Sequence, residues 1–202
     1  MKKSDLTKER ILNAAEMEFA EKGLYGARID EIALKANANK RMIYSYFGNK
    51  EELYTIVLDK VYKELGTAEE KLLSQELSPA DAIENTIYMY FEFLYSHPNF
   101  VKLVMWENLN EAKYIELSEV PIIKDTAFKM LKNIIKKGMV EGAFKSEIDI
   151  DEIAFSLNMF CFSYFSNIHT MSRLMKIDFE KKEQMLKRAD HVAELIMQHI
   201  LK

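Results

Sequence analysis

Five side chains within one short stretch, Lys40, Arg41, Met42, Ser45 and Tyr46, have the chemistry of nucleic-acid contact. Arg and Lys can pair with guanine edges, and Ser and Tyr can reach phosphates or bases. At helical spacing they lie on or near the exposed side of a segment running from Lys40 to Tyr46. Met42, Ile43 and Phe47 form its apolar side. A solvated helix face is the blander reading of the same residues. Other chemistry has little footing. The four histidines, His97, His169, His191 and His199, show no metal-ligand spacing, and there is no H-E-x-x-H or Cys cluster. There is no G-x-S-x-G elbow or Gly-rich phosphate loop. The acid pairs Glu51-Glu52 and Glu69-Glu70 read as helix termini or solvated faces. No enzyme activity, metal or cofactor is expected.

The elements around Lys40–Tyr46 must hold it outward. Upstream, Ile29, Ile32, Ala33 and Ala36 recur at helical spacing, and Asn37-Ala38-Asn39 interrupts them. Asn tolerates a left-handed turn position and is a favoured N-cap, so both asparagines suit a tight turn between two short helices. Downstream, Gly48-Asn49 closes the segment, and Asn49 with Glu52 forms a capping-box pattern opening the next helix. Two short helices joined this way make a helix-turn-helix, whose second helix lies in the DNA major groove.

The run Ile32-Ala33-Leu34-Lys35-Ala36-Asn37-Ala38-Asn39-Lys40-Arg41-Met42-Ile43-Tyr44-Ser45-Tyr46-Phe47-Gly48-Asn49-Lys50-Glu51-Glu52-Leu53 resembles the signature of the tetracycline-repressor (TetR) family of bacterial transcription regulators. That pattern is roughly I-A-x-x-A-G-V-S-x-x-x-(L/I)-Y-x-(H/Y)-F-x-x-K-E-E-L. Asn37, Ala38 and Asn39 replace its usual Gly, Val and Ser, and Ala27 and Arg28 stand where the family has a Thr or Ser cap. The resemblance implies that Tyr44 and Lys50 clamp phosphates, with a purely core role the alternative for Tyr44. Lys50 also opens a helix, where backbone N–H groups favour an anion. Arg28 either touches the DNA backbone or is solvated.

Charge is uneven along the chain. Residues 1–50 hold ten Lys or Arg against seven Asp or Glu, and residues 51–202 hold 18 against 25, for a net −4. A mildly basic head on an acidic body suits orientation near phosphate, though ordinary fluctuation gives the same numbers. No apolar run approaches the ~18 residues of a membrane span. The polar start at Met1-Lys2-Lys3-Ser4-Asp5 shows no signal peptide. The lone Cys161 cannot form an internal disulfide, so a reducing cytoplasm fits best.

The pattern is all-α: an N-terminal three-helix helix-turn-helix head over residues 1–50 and a larger C-terminal helical bundle over residues 51–202. Thr7 is placed to cap the first helix, which carries Ile11, Leu12, Ala15 and Phe19 and ends at Gly23. About fifty residues bury too little to be secure alone, so the head should lean on the helix after Lys50. That helix runs towards Leu77, with a bend marked by Gly66, and Ser78-Pro79 opens another that stops at His97-Pro98. Phe100–Leu109 is a short helix. Pro121 opens a longer one, and Gly138 and Gly142 punctuate the loop after it. Asp149 with Glu152 caps a helix to about Met171, and Asp178 starts the last.

The helix after Asp149 is apolar nearly all round, and such a helix must be covered on more than one side. In the TetR family the last two helices form a four-helix dimer interface, which would supply that cover and make the body the part that dimerises. The resemblance also places Tyr88, Phe91, Trp106, Phe128, Met159 and Phe162 around an effector cavity, with ordinary core packing the alternative for each. Asn108, Asn158, Asn167 and His169 are candidates to orient a ligand, or else satisfied core or surface residues. The implied function is a homodimeric repressor released from a palindromic double-stranded DNA operator by a small apolar or aromatic effector. A helical ligand-binding or interaction module without DNA function is the alternative.

Overall fold

The computed structural model describes residues 3–202, so Met1 and Lys2 of the polar start lie outside the described residues. These form eleven α-helices and one isolated antiparallel bridge, Phe144 to Leu201. They are α1 (Lys3–Gly26), α2 (Ile29–Lys35), α3 (Lys40–Phe47), α4 (Lys50–Leu73), α5 (Pro79–Ser96), α6 (Pro98–Leu109), α7 (Lys113–Glu116), α8 (Val120–Val140), α9 (Ile150–Ser166), α10 (Ile168–Met175) and α11 (Lys182–Ile200). The chain divides into two compact units, residues 3–64 with Asn99–Ile123, and Leu65–Pro98 with Lys124–Lys202.

The first unit contains more than the helix-turn-helix. The apolar face of α1 buries Ile11, Ala15 and Phe19, and Phe19 meets the ring of Tyr54 from α4 edge-on at 5.0 Å. Each such large apolar side chain contributes roughly 1.5–3 kcal/mol of burial. Lys60 of α4 pairs with Glu16 of α1 at 2.5 Å, and Asn99 at the start of α6 donates to the same carboxylate at 3.0 Å. At Gly23 the backbone leaves the helix (φ 65°, ψ 176°), a conformation open essentially to glycine. Trp106 of α6 covers that spot, and its indole N–H donates to the Ala20 carbonyl at 3.3 Å. Glu107, fully buried, accepts from the backbone N–H groups of Tyr114 and Ile115 at 3.0 and 3.1 Å. It caps α7 from a distance, because Ala112 at the cap position has no side-chain acceptor.

In the second unit α5, α9 and α11 pack on one another. Their shared core includes Ile83, Ile87, Phe91, Leu157, Cys161, Met185, Val192 and Ile196. Burial pushes the Cys161 thiol up to about 12, so it behaves as a small apolar group. Asp149 caps α9 as its spacing with Glu152 implies, and Ser78 caps α5 at the boundary expected of Ser78-Pro79.

Several expected boundaries move. Thr7 does not cap α1: it is buried inside that helix, which already runs from Lys3. α4 passes through Gly66 without a break and stops at Leu73 rather than Leu77. Gly138 belongs to α8, covered by the ring of Phe144, and not to a loop. The helix after Asp149 ends at Ser166, where Asn167 leaves helical geometry (φ −112°, ψ 6°). Asp178 accepts from the Glu180 N–H at 3.2 Å in a local turn, and the last helix starts only at Lys182. Glu69 is neither at a terminus nor solvated; it is 1% exposed and inside α4.

Candidate nucleic-acid interface

The turn between α2 and α3 is built from the two asparagines. Asn37 takes a left-handed conformation (φ 48°), and Asn39 is the N-cap of α3, its side chain accepting from the Met42 N–H at 2.8 Å. At the other end Gly48 turns the chain with φ 74°. Asn49 and Glu52 then close a reciprocal box: the Glu52 N–H donates to the Asn49 side chain at 2.8 Å and the Asn49 N–H to the Glu52 carboxylate at 3.4 Å. Thus α3 is closed at both ends by contacts that its own sequence supplies.

Ile43 and Phe47 are buried and root the helix. The opposite side, at positions i, i+1, i+4 and i+5, presents Lys40, Arg41, Tyr44 and Ser45 to solvent. Tyr44 is 48% exposed, which removes its reading as a core residue. Met42 and Tyr46 sit half-buried on the flank, and the Lys8 ammonium stands 5.3 Å from the centre of the Tyr46 ring. Arg28 is exposed at the N-cap of α2, with no side-chain cap bond there. Lys50 is half-buried at the first position of α4. Lys40 pairs with Asp30 of α2 at 2.5 Å, both side chains solvated. Among the described residues Arg28, Arg41 and Lys50 have no carboxylate at ion-pair distance.

The residue that sequence spacing did not single out is Glu18. Fully buried in α1, it receives Lys22 at 2.8 Å and Lys35 of α2 at 2.7 Å. Burial alone would raise its pKa, but the hydrogen bonds from Lys22 and Lys35 outweigh it and the carboxyl is held below its ordinary value. This brace ties α2, and hence the turn, to α1. The i, i+4 spacing of Glu18 and Lys22 was the only local trace of it.

The candidate cavity residues divide. Tyr88, Phe91, Phe128, Met159 and Phe162 belong to the second unit, whereas Trp106 belongs to the first and packs on Gly23. Phe91 is fully buried against the rings of Tyr164 and Phe165. Tyr88 donates its hydroxyl to Asp190 at 2.9 Å, and Met159 is 43% exposed. Asn108 and Asn158 each donate to a carbonyl of their own helix at 2.9 Å. Asn167 bonds its own turn, and exposed His169 pairs with Glu180 at 2.9 Å. Among the described residues no three His, Cys, Asp or Glu gather as a metal site, and no helix is long and apolar enough to cross a membrane.

Fold and site together define a helix-turn-helix protein with a separate helical body. Residues 11–55 match the family described as bacterial regulatory proteins, tetR family, and residues 79–196 match the tetracyclin repressor-like C-terminal domain. The HTH-type transcriptional repressor NicS of Pseudomonas putida is 33% identical over 181 residues, covering 89% of this chain and 85% of its own. The HTH-type transcriptional repressor SCO4008 of Streptomyces coelicolor is 42% identical over 105 residues, 52% of this chain and 51% of its own. The transcriptional regulator FadR of Bacillus subtilis, solved in complex with stearoyl-CoA, shares the fold with a TM-score of 0.73 at 18% identity, over 96% of this chain and 99% of its own. The chain belongs to the tetR family of bacterial regulatory proteins, which are DNA-binding transcriptional regulators.

Proposed function

We propose that the chain is a cytoplasmic, homodimeric, ligand-responsive repressor, without catalytic activity, that binds a palindromic double-stranded DNA operator. The carrying observation is the face of α3. Lys40, Arg41, Tyr44 and Ser45 are exposed on it, while Ile43 and Phe47 hold the helix from behind. Residues 1–50 carry the DNA-binding role, and residues 51–202 carry effector binding and dimerisation. Arg41 with Lys40, Met42, Ser45 and Tyr46 enters the major groove, and Arg28, Tyr44 and Lys50 hold the phosphates on either side.

Two such helices must stand one DNA turn apart, about 34–36 Å, to enter successive major grooves. Dimerisation through α9 and α11 is supported by the apolar side chains these helices leave exposed: Phe155, Met159 and Phe160 on one, Leu186 and Leu195 on the other. A small apolar or aromatic effector, held in the body near Tyr88, Phe91, Phe128 and Phe162, favours a dimer with another head spacing. DNA affinity then falls by no more than the effector's differential binding to the two states. NicS and SCO4008, both named as repressors, support repression over activation. Enrichment of random duplexes on the purified protein tests the reading. A recovered palindrome supports it, and no enrichment above background supports instead a helical ligand-binding or interaction module without DNA function.

A further inference from the structure

One buried carboxylate in the body has half of its hydrogen-bonding capacity unused. Glu69 of α4 is 1% exposed, and its Oε1 accepts from both the Tyr90 hydroxyl of α5 and the Lys124 ammonium of α8. Its Oε2 is equally buried and has no hydrogen-bond partner among the described residues. Glu69, Tyr90, Lys124 and Phe128 all belong to the second unit. Lys124 lies against aromatic faces, 5.1 Å from the centre of Phe128 and 5.8 Å from that of Tyr90. Burial raises the Tyr90 phenol well above its ordinary 10, so it stays a donor. Glu107 of the first unit also has an unpartnered oxygen, but its other oxygen caps α7. Glu69 caps nothing.

A buried carboxylate oxygen is unfavourable unless something donates to it. Charge balance narrows what that can be. Glu69 and Lys124 cancel, so an added anion would face the carboxylate and an added cation would leave an unbalanced buried charge. A neutral donor meets neither penalty.

We propose that Glu69 is the recognition group of the effector site, and that the effector is a neutral molecule offering one O–H or N–H donor to Oε2 from an apolar, aromatic body. This rests on reading the second unit as the effector-binding body. Tyr90 and Lys124 position the carboxylate, and Phe128 supplies the apolar wall beside it. A hydrogen bond to a charged acceptor is worth roughly ten- to hundredfold in affinity over the same body without the donor.

The test is calorimetric titration of the full-length protein with two matched probe series. One is 1-naphthol, naphthalene, 1-naphthoate and 1-naphthylmethylammonium; the other is phenol, toluene, benzoate and benzylammonium. In at least one series the hydroxyl member binds roughly ten- to hundredfold tighter than its three relatives. In Glu69→Gln, whose amide can turn its NH2 to the same spot, the preference moves from 1-naphthol towards 1-methoxynaphthalene, which only accepts. If that variant does not fold, the wild-type ranking decides alone. Binding with no preference for the hydroxyl, a preference for the carboxylate or ammonium, or an unchanged ranking in Glu69→Gln overturns this inference while leaving effector binding intact. Absence of binding by every member of both series likewise overturns this inference and leaves effector binding by another class of molecule intact.

Discussion

Replacing Lys50 by Ala separates phosphate contact from base reading. Lys50 is half-buried at the first position of α4, and among the described residues no carboxylate neutralises it. If it holds one phosphate per subunit, a dimer lacking it loses two contacts. The slope of log K against log salt then becomes shallower by about 1.8, since each contact accounts for about 0.9. Those two released counterions multiply affinity by about 200 at 50 mM salt and by about 20 at 200 mM. Lys50→Ala should therefore lose the most at low salt, and by similar factors on operator and on random duplex. Arg41→Ala should behave differently. Exposed and unpaired on the solvent side of α3, Arg41 is placed for a base edge, worth about 1–3 kcal/mol on the matching sequence only. Fluorescence anisotropy titrations of both variants, on the enriched palindrome and a scrambled duplex at 50, 100 and 200 mM salt, separate the two roles. Equal losses that do not vary with salt, or a Lys50 effect confined to the palindrome, would show that Lys50 holds no phosphate.

Four further outcomes follow from the site. Asn39→Ala removes the acceptor for the Met42 N–H and should cost about 1 kcal/mol, read as a lowered denaturant midpoint at unchanged slope. Gly23→Ala forces a side chain into a positive-φ position with the Trp106 ring 2.9 Å from the new Cβ, so a loss of at least ~1–3 kcal/mol should appear in the same measurement. Because Glu18 has a lowered folded-state pKa, its stabilisation is complete above the ordinary 4.5 and is lost as pH falls through the depressed value. Thermal unfolding from pH 7 to 3 should show wild type losing stability below about 4.5 more steeply than Glu18→Gln. Asp30→Asn frees Lys40 from its 2.5 Å ion pair and should steepen the salt dependence of DNA binding in the anisotropy assay.

What the sequence makes legible here is what it determines locally. The amphipathic face of α3, the left-handed Asn37, the Asn39 cap and the Asn49–Glu52 box all depend on residues within four positions of one another. The same holds for the Ser78 and Asp149 caps. The rest depends on partners distant in sequence. Glu69 looks like half of an exposed acid pair until Tyr90 and Lys124 are brought onto it from other helices. Trp106 looks like a cavity aromatic until Gly23, with no side chain to obstruct it, turns out to be what it covers. Glu107 caps α7 across seven residues, beyond the reach of any local capping pattern. In each case side-chain chemistry overrides a periodicity that reads correctly only the face a helix buries.

In the proposed function the exposed side of α3 reads base edges in two major grooves one turn apart. Methylation interference on the enriched palindrome tests it most directly, because a methyl group on guanine N7 blocks the edge that Arg or Lys would contact. Interference is expected at two clusters of guanines with centres about 10–10.5 bp apart, each lost or weakened with Arg41→Ala. Tight binding with no interference in either major groove, or a pattern that Arg41→Ala leaves unchanged, would contradict it.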